Sequence, residues 1–113
     1  MIVDLRATTN KASAPGICQP PHVVDISFDF VQLEIGVPSE GGSRVHCFEV
    51  EAMNLEDNCT TQHKLTRYPG DTSERFLGRL SGLTPDCAYL FRCKAEGAVG
   101  DSVTFSEWVR APL

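Results

Sequence analysis

The stretch that decides the fold runs from Leu80 to Ala95 and reads LSGLTPDCAYLFRCKA. It begins with a corner, Gly82 to Pro85, in which glycine permits a sharp change of direction and proline stiffens the backbone. A strict alternation follows the corner. Its inward-facing positions are Tyr89, Phe91, Cys93 and Ala95. This period of two residues predicts a half-buried β-strand that starts just after a tight corner.

Shorter alternations of the same kind lie on both sides of this stretch, separated by turn signals and without the period of a helix. Predicted strands cover residues 23–26, 31–35, 47–52, 61–67, 76–80, 89–96 and 105–110. Cys47 falls on the wetter face of its strand, and Lys64 and Arg67 are charges that protect an edge strand from pairing with another chain. Seven short strands with turns between them predict an all-β sandwich.

The Leu80 to Ala95 stretch closely resembles the E-to-F region of fibronectin type III domains, L-x-G-L-x-P-x-T-x-Y-x-F-R-V-x-A. The resemblance implies a seven-stranded antiparallel immunoglobulin-like β-sandwich over residues 15–113. It implies that Tyr89 forms a tyrosine corner, with its hydroxyl bonded to backbone a few residues upstream. The structural residues of this motif are Gly82, Leu83, Pro85 and Tyr89.

The chain departs from that family pattern in its core residues. Ile35 stands where the family usually buries a tryptophan, and Cys87 and Cys93 replace the usual threonine and valine. We therefore expect a core packed by aliphatic residues and phenylalanine. Residues 1–14 show no sustained periodicity and are expected to be a linker or tail outside the domain.

Composition limits the classes of partner. The formal net charge of the 113 residues is −5, and the basic residues are scattered singly, so we expect no nucleic-acid partner. Apolar runs fall short of the ~20 residues of a membrane span, so we expect no membrane insertion by this segment. The domain is expected to be monomeric in isolation and to contact another protein or neighbouring modules of its own chain.

Two incomplete motifs lie side by side between Val99 and Val109. Val99 to Ser102 lacks the arginine of an integrin-binding RGDS, and its glycine, aspartate and serine predict a positive-φ hairpin turn. Phe105 to Val109 is close to the WSXWS box of cytokine receptors. It predicts a structural stack of Trp108 on Arg92.

An exposed tryptophan beside basic residues is also typical of protein-binding hot spots. The predicted loops, residues 38–43 and 97–102, offer further contact positions. The protein-binding candidates are Trp108, Arg92, Val99, Asp101, Glu40 and Arg44.

The cysteines and histidines predict no catalytic, cofactor-binding or metal-binding residue. The five cysteines are odd in number and lack the close C-x2-C spacing of a zinc module. A thiol nucleophile needs a base beside it, and the three histidines lie on separate predicted elements, while Cys93 faces the core.

The resemblance implies a non-enzymatic interaction or spacer module of a larger multidomain protein. The alternative is an extracellular receptor or adhesion module with disulfides and a glycan at Asn58, which begins the acceptor pattern Asn58-Cys59-Thr60. Unpatterned cysteines favour a reducing, intracellular compartment, and the acceptor pattern keeps an extracellular one open.

Overall fold

The computed structural model describes residues 15–38, 44–98, 100–102 and 104–113, so the predicted tail at 1–14 lies outside the described residues. Within these ranges the chain forms seven strands. They are β1 (His22–Ile26), β2 (Val31–Gly36), β3 (Val45–Asn54), β4 (Thr60–Thr66), β5 (Arg75–Leu80), β6 (Ala88–Gly97) and β7 (Val109–Pro112).

The strands form two antiparallel sheets that pack face to face. One sheet has the order β1-β2-β5, and the other has the order β4-β3-β6-β7. The predicted seven-stranded antiparallel sandwich is therefore confirmed. The described part of the chain holds no helix with the length and apolar character needed to cross a membrane.

The core lies between the sheets and is built from the inward positions of the predicted alternations. Phe48 of β3 and Phe91 of β6 are fully buried, and the Phe48 ring centroid lies 5.1 Å from that of Phe76 on the opposite sheet. Ile35, which replaces the family's usual tryptophan, is also fully buried. Apolar burial across this contact is the main force that holds the two sheets together.

The corner between β5 and β6 carries the chain from one sheet to the other. Gly82 has φ +75°, a left-handed conformation that strains any residue with a Cβ atom. Leu83 is buried, and its N–H donates a 2.9 Å hydrogen bond to the carbonyl of Asp29. The hydroxyl of Tyr89 accepts the N–H of Thr84 at 2.8 Å, which is the geometry of a tyrosine corner.

Cys47 is more enclosed than its place on the outer face of β3 predicts. Its side chain is 2% exposed, and its thiol donates a 3.1 Å hydrogen bond to Glu96. Glu96 is in turn paired with Lys64 at 3.1 Å, so two long side chains from the neighbouring strands cover the thiol. Burial and the Glu96 carboxylate raise the pKa of Cys47 to about 11. The alternation predicted the direction of the Cys47 side chain correctly and its exposure wrongly, because the long side chains of neighbouring residues fold over this small one.

Arg67 contradicts its predicted place as an exposed edge charge. It follows β4 and is 3% exposed, because its guanidinium turns into the loop between β4 and β5. There it donates hydrogen bonds to the carbonyls of Val45 (2.7 Å), Asp71 (2.8 Å) and Ser73 (3.2 Å). The planar fork of arginine can bond several carbonyls at once, so the buried charge organises this loop.

Candidate functional site

The candidate surface is built on the outward positions of β6. Alternation along this strand buries Phe91 and Cys93 and leaves Arg92 and Lys94 on the opposite, partly exposed face. The segment after residue 103 returns beside β6 on the same side. Both basic side chains therefore face the aromatic residues of that segment.

The returning segment is not a strand until Val109, although the sequence predicted one from residue 105. Two serines replace the regular ladder. Ser106 donates its N–H to the carbonyl of Cys93 at 2.8 Å and accepts the Cys93 N–H on its hydroxyl at 3.1 Å. Ser102 does the same for Ala95, at 2.8 and 3.0 Å. Because each hydroxyl replaces a backbone carbonyl, the segment stays attached to β6 without strand geometry.

The predicted turn also lies earlier than expected. The Gly97 N–H donates to the Gly100 carbonyl at 2.9 Å, so the chain reverses between these two residues. The backbone of Asp101 already forms an antiparallel β-bridge with that of Glu96 across the hairpin, and Ser102 is 4% exposed. Asp101 and Ser102 therefore lie after the turn and not within it, because their bonds to β6 hold them opposite Glu96 and Ala95.

Four side chains form a stack that we call the cation–π ladder: Lys94, Phe105, Arg92 and Trp108. The guanidinium carbon of Arg92 lies 4.5 Å from the Phe105 ring centroid and 4.3 Å from the Trp108 ring. The ammonium of Lys94 lies 4.9 Å from Phe105. Cations and aromatic faces therefore alternate along the outer surface of the sheet.

Each cation of the ladder also has a carboxylate partner. Arg92 binds one oxygen of Glu51, with Nη2 at 2.6 Å and Nε at 2.7 Å. Lys94 lies 3.6 Å from Asp101. Because both charges are balanced within the domain, the ladder presents a half-buried, apolar and nearly neutral surface, with no unpaired cation to attract an anion.

We predict that Trp108→Ala lowers the free energy of unfolding by about 1.5 kcal/mol, since it removes a partly desolvated cation–π contact and apolar burial. Trp108→Phe, which keeps a ring over Arg92, should retain at least half of that stability. Trp108 is the only tryptophan, so neither variant retains tryptophan fluorescence. Urea unfolding of both variants is therefore followed by circular dichroism. Equal stability of wild type and Trp108→Ala would show that the ladder has no structural role. Tyr68→Ala, at an 83% exposed aromatic residue, is the control.

The structure brings together some of the predicted binding residues and separates others. Trp108 and Arg92 are stacked, and Asp101 joins them through Lys94. Arg44 lies apart, where it donates hydrogen bonds to the carbonyls of Tyr68 (2.6 Å) and Asp71 (3.0 Å). The remaining two candidates, Val99 and Glu40, lie outside the described residues.

Sequence reasoning missed Glu51 and the bonding role of the two serines. Glu51 stands directly opposite Arg92 in the β3–β6 register, so a correct strand pairing would have revealed it. No local pattern marks Ser102 or Ser106, because their bonds are to residues of another strand.

A small pocket of about 160 Å³ lies at the tyrosine corner, beside Asn54, Cys59 and Tyr89. The Asn54 amide donates to the Tyr89 hydroxyl at 3.3 Å. Ligand pockets usually begin at about 300 Å³. This pocket is therefore too small for most metabolites, and several of its polar groups are already hydrogen-bonded within the domain.

All five thiols are free, and they lie within the described residues. In that part of the chain, no group of three or more His, Cys, Asp and Glu side chains is placed to hold a metal ion. The imidazole of His63 bonds to the hydroxyl of Thr61 at 2.9 Å, and burial lowers the pKa of His63. Its nearest bonded partner is thus a hydroxyl and not a thiol.

No protein-family model matches the sequence. Among solved structures, domains A168–A170 of titin superpose with TM-score 0.70 and 25% identity over 89% of this chain. The sixth fibronectin type III domain of human fibronectin type III domain containing protein 3 gives TM-score 0.59 and 28% identity, with 90% of this chain and 88% of that chain covered.

The twitchin kinase region from C. elegans gives TM-score 0.69 and 23% identity over 89% of this chain, which at this identity is a likeness of fold alone. This chain spans 32% of the titin fragment and 16% of the twitchin fragment. The topology, the tyrosine corner and these likenesses agree, and the chain has a fibronectin type III-like fold.

Proposed function

We propose that this domain is a non-enzymatic module of a larger multidomain protein, which spaces its neighbours and contacts them or another protein. One observation carries the proposal: the described chain begins at one pole of the sandwich and ends at the other. Such a domain can be joined in series with others without its flanking segments crossing its surface.

The two poles are defined by contacts at the ends of β6. Pro15 packs against Gly97, where an added Cβ would lie 3.3 Å from the proline ring. At the other end, the N–H of Leu113 donates to the carbonyl of Cys87 at 3.1 Å. The ten residues of β6 separate these points. At about 3.3 Å per residue, the poles are about 30 Å apart.

Each pole exposes an aromatic side chain in a loop. Tyr68, in the β4–β5 loop, is 83% exposed and lies at the pole of Pro15, since Arg44 bonds its carbonyl. Phe28, in the β1–β2 loop, is 74% exposed and lies at the pole of Leu113. Exposed aromatics on loops are suited to contacts with a neighbouring module or a partner. The titin fragment, of which this chain matches one part, supports the same proposal.

The non-enzymatic part of the proposal is supported by the fold and by the residues that line the pocket. Domains of this fold are generally non-catalytic, and the small corner pocket has no thiol–imidazole pair among its lining residues. The acidic net charge of −5 opposes binding to phosphate backbones. Proteins are therefore the partners that we propose.

The alternative, an extracellular module, keeps one favourable observation: Asn58 is exposed, in a loop between β3 and β4, with φ +58°. The free state of all five thiols favours the first proposal. The mass of the chain recovered from a secreting eukaryotic cell separates them, since a glycan at Asn58 would support the alternative and an unmodified Asn58 would overturn it.

The experiment for the first proposal compares amide chemical shifts of the chain alone with those of the chain carrying its natural flanking segments. Shifts should change near Tyr68 and Phe28 and stay unchanged along the cation–π ladder. Tyr68→Ser and Phe28→Ser should each weaken the change at their own pole. Leu77→Ser, at a 54% exposed residue on the face of β5, is the matched control. Changes confined to the ladder, or a gene that encodes no flanking domain, would overturn the proposal.

A further inference from the structure

The first described residues, 15–21, cross the sandwich beside β6 without forming a strand. Two hydrogen bonds hold them there. The hydroxyl of Ser102 donates to the carbonyl of Gly16 at 2.8 Å, and the thiol of Cys93 donates to the carbonyl of Gln19 at 3.7 Å. We call residues 15–21 the leading segment. Cys18 lies between its two attachment points and is thereby directed at β6.

Cys18 and Cys93 meet inside the core. Cys18 is 3% exposed and Cys93 is fully buried, and both belong to the same cluster of packed side chains. Their thiols lie close together: the Cys93 thiol donates to the carbonyl of Gln19, the residue after Cys18, and each thiol shifts the pKa of the other. The other three cysteines occupy different places: Cys47 lies under Glu96, Cys59 is exposed, and Cys87 is half-buried before β6.

We propose that Cys18 and Cys93 are a redox-active dithiol, which a small-molecule disulfide such as oxidised glutathione converts into an intramolecular disulfide. The bond would fasten the leading segment to β6. This inference concerns the thiol chemistry of the core and is independent of the proposed modular function.

The pKa shifts favour Cys93 as the attacking sulfur. The neighbouring Cys18 thiol lowers the pKa of Cys93, with help from Ser106 and against the effect of burial. The Cys93 thiol, together with burial, raises the pKa of Cys18. Thiolates are the nucleophiles of disulfide exchange, so Cys93 reacts first and Cys18 resolves.

The exchange balances in two steps. The Cys93 thiolate attacks one sulfur of glutathione disulfide, which forms a mixed disulfide and releases one glutathione thiolate. Cys18 then gives its proton to that thiolate or to water, and its sulfur displaces the second glutathione from Cys93. Two protein thiols are thus oxidised, and one small disulfide is reduced to two thiols.

Access to these buried sulfurs requires a local opening. The leading segment has no place in either sheet, so it can lift from β6 without breaking a strand ladder. Lifting exposes both cysteines, and the rate of oxidation follows the rate of this opening. Once formed, the bond closes most of the chain into a loop. In the chain-entropy account it lowers the unfolding equilibrium constant by roughly 100-fold or more.

Peptide mapping of the oxidised wild-type chain tests the proposal. The folded protein is treated with excess oxidised glutathione, its remaining thiols are alkylated, and it is digested with trypsin without reduction. Trypsin cuts after Arg92 and Lys94, which isolates Cys93, and the Cys18 peptide ends at Arg44. Cys87 and the pair Cys47 and Cys59 lie on other peptides, so each linkage has its own mass.

We expect the Cys18–Cys93 peptide to be the dominant linkage, and the oxidised chain to unfold at higher urea concentration than the reduced one. Cys18→Ser and Cys93→Ser should abolish both effects, and Cys47→Ser, at a buried thiol without a thiol neighbour, should keep them. Mixed glutathione disulfides without this linkage, or a linkage that forms only in urea, would overturn the proposal. Because the peptide map uses the wild-type chain, it tests the proposal even if a variant fails to fold.

Discussion

Phe48→Ala is expected to lower the free energy of unfolding by about 4 kcal/mol, because it removes a large buried ring and leaves a cavity. Phe48 is fully buried, and its ring lies against Phe76 of the other sheet. The lost contact therefore joins the two layers of the sandwich. Urea unfolding followed by circular dichroism measures the change. Phe48→Leu, with an expected loss of about 1.5 kcal/mol, keeps the measurement accessible if the alanine variant is largely unfolded.

Phe28→Ala is the matched control for this prediction. It makes the same chemical change at a residue that is 74% exposed, so the expected effect is within about 0.5 kcal/mol. Similar losses at Phe28 and Phe48 would contradict a core that lies between the two sheets.

Arg67→Ala is expected to lower the free energy of unfolding by about 3 kcal/mol, since it removes a buried charged donor that bonds one carbonyl of β3 and two of the β4–β5 loop. These carbonyls belong to Val45, Asp71 and Ser73. Arg67→Lys keeps the charge but not the planar fork, and should lose about 2 kcal/mol. Denaturant unfolding measures both variants, and amide exchange should show a loss of protection in the β4–β5 loop.

Arg44→Ala is the control for the buried arginine. Arg44 also donates two hydrogen bonds to carbonyls of the same loop, but it is only half-buried. Water replaces its bonds more easily, so the expected loss is about 1 kcal/mol. An equal loss at both arginines would show that burial of Arg67 adds nothing.

The fold was predictable because its evidence is local. The alternation from Tyr89 to Ala95 indicates one buried face, and the glycine and proline of the preceding corner indicate where the chain changes sheets. Several fixed spacings in the same stretch then gave the resemblance to fibronectin type III domains. Each of these signals depends on neighbours within a few residues along the chain.

The errors occurred where residues distant in sequence meet. Cys47 is enclosed by Glu96 and Lys64, and Arg67 turns inward to reach Val45. Ser106 uses its hydroxyl in place of a backbone carbonyl, so β7 begins later than predicted. None of these partners can be found from the local pattern, because alternation reports the direction of a side chain and not what covers it.

The candidate site divides in the same way. The sequence indicated that Trp108 and Arg92 share a face, and the structure places them in a stack at 4.3 Å. That Glu51 and Asp101 neutralise the ladder's cations depends on strand register and on the position of a turn. The surface that appeared to be a basic hot spot is therefore nearly neutral.

Local pattern was thus sufficient for the class of the domain, the number of its strands and the corner at Tyr89, since short-range alternation and turn chemistry specify these. Long-range contacts determine the burial of Arg67, the internal pairing of the cation–π ladder and the meeting of Cys18 with Cys93. The physical reason is that charge balance, solvent exclusion and thiol proximity are properties of groups close in space, and folding brings those groups together from distant parts of the chain.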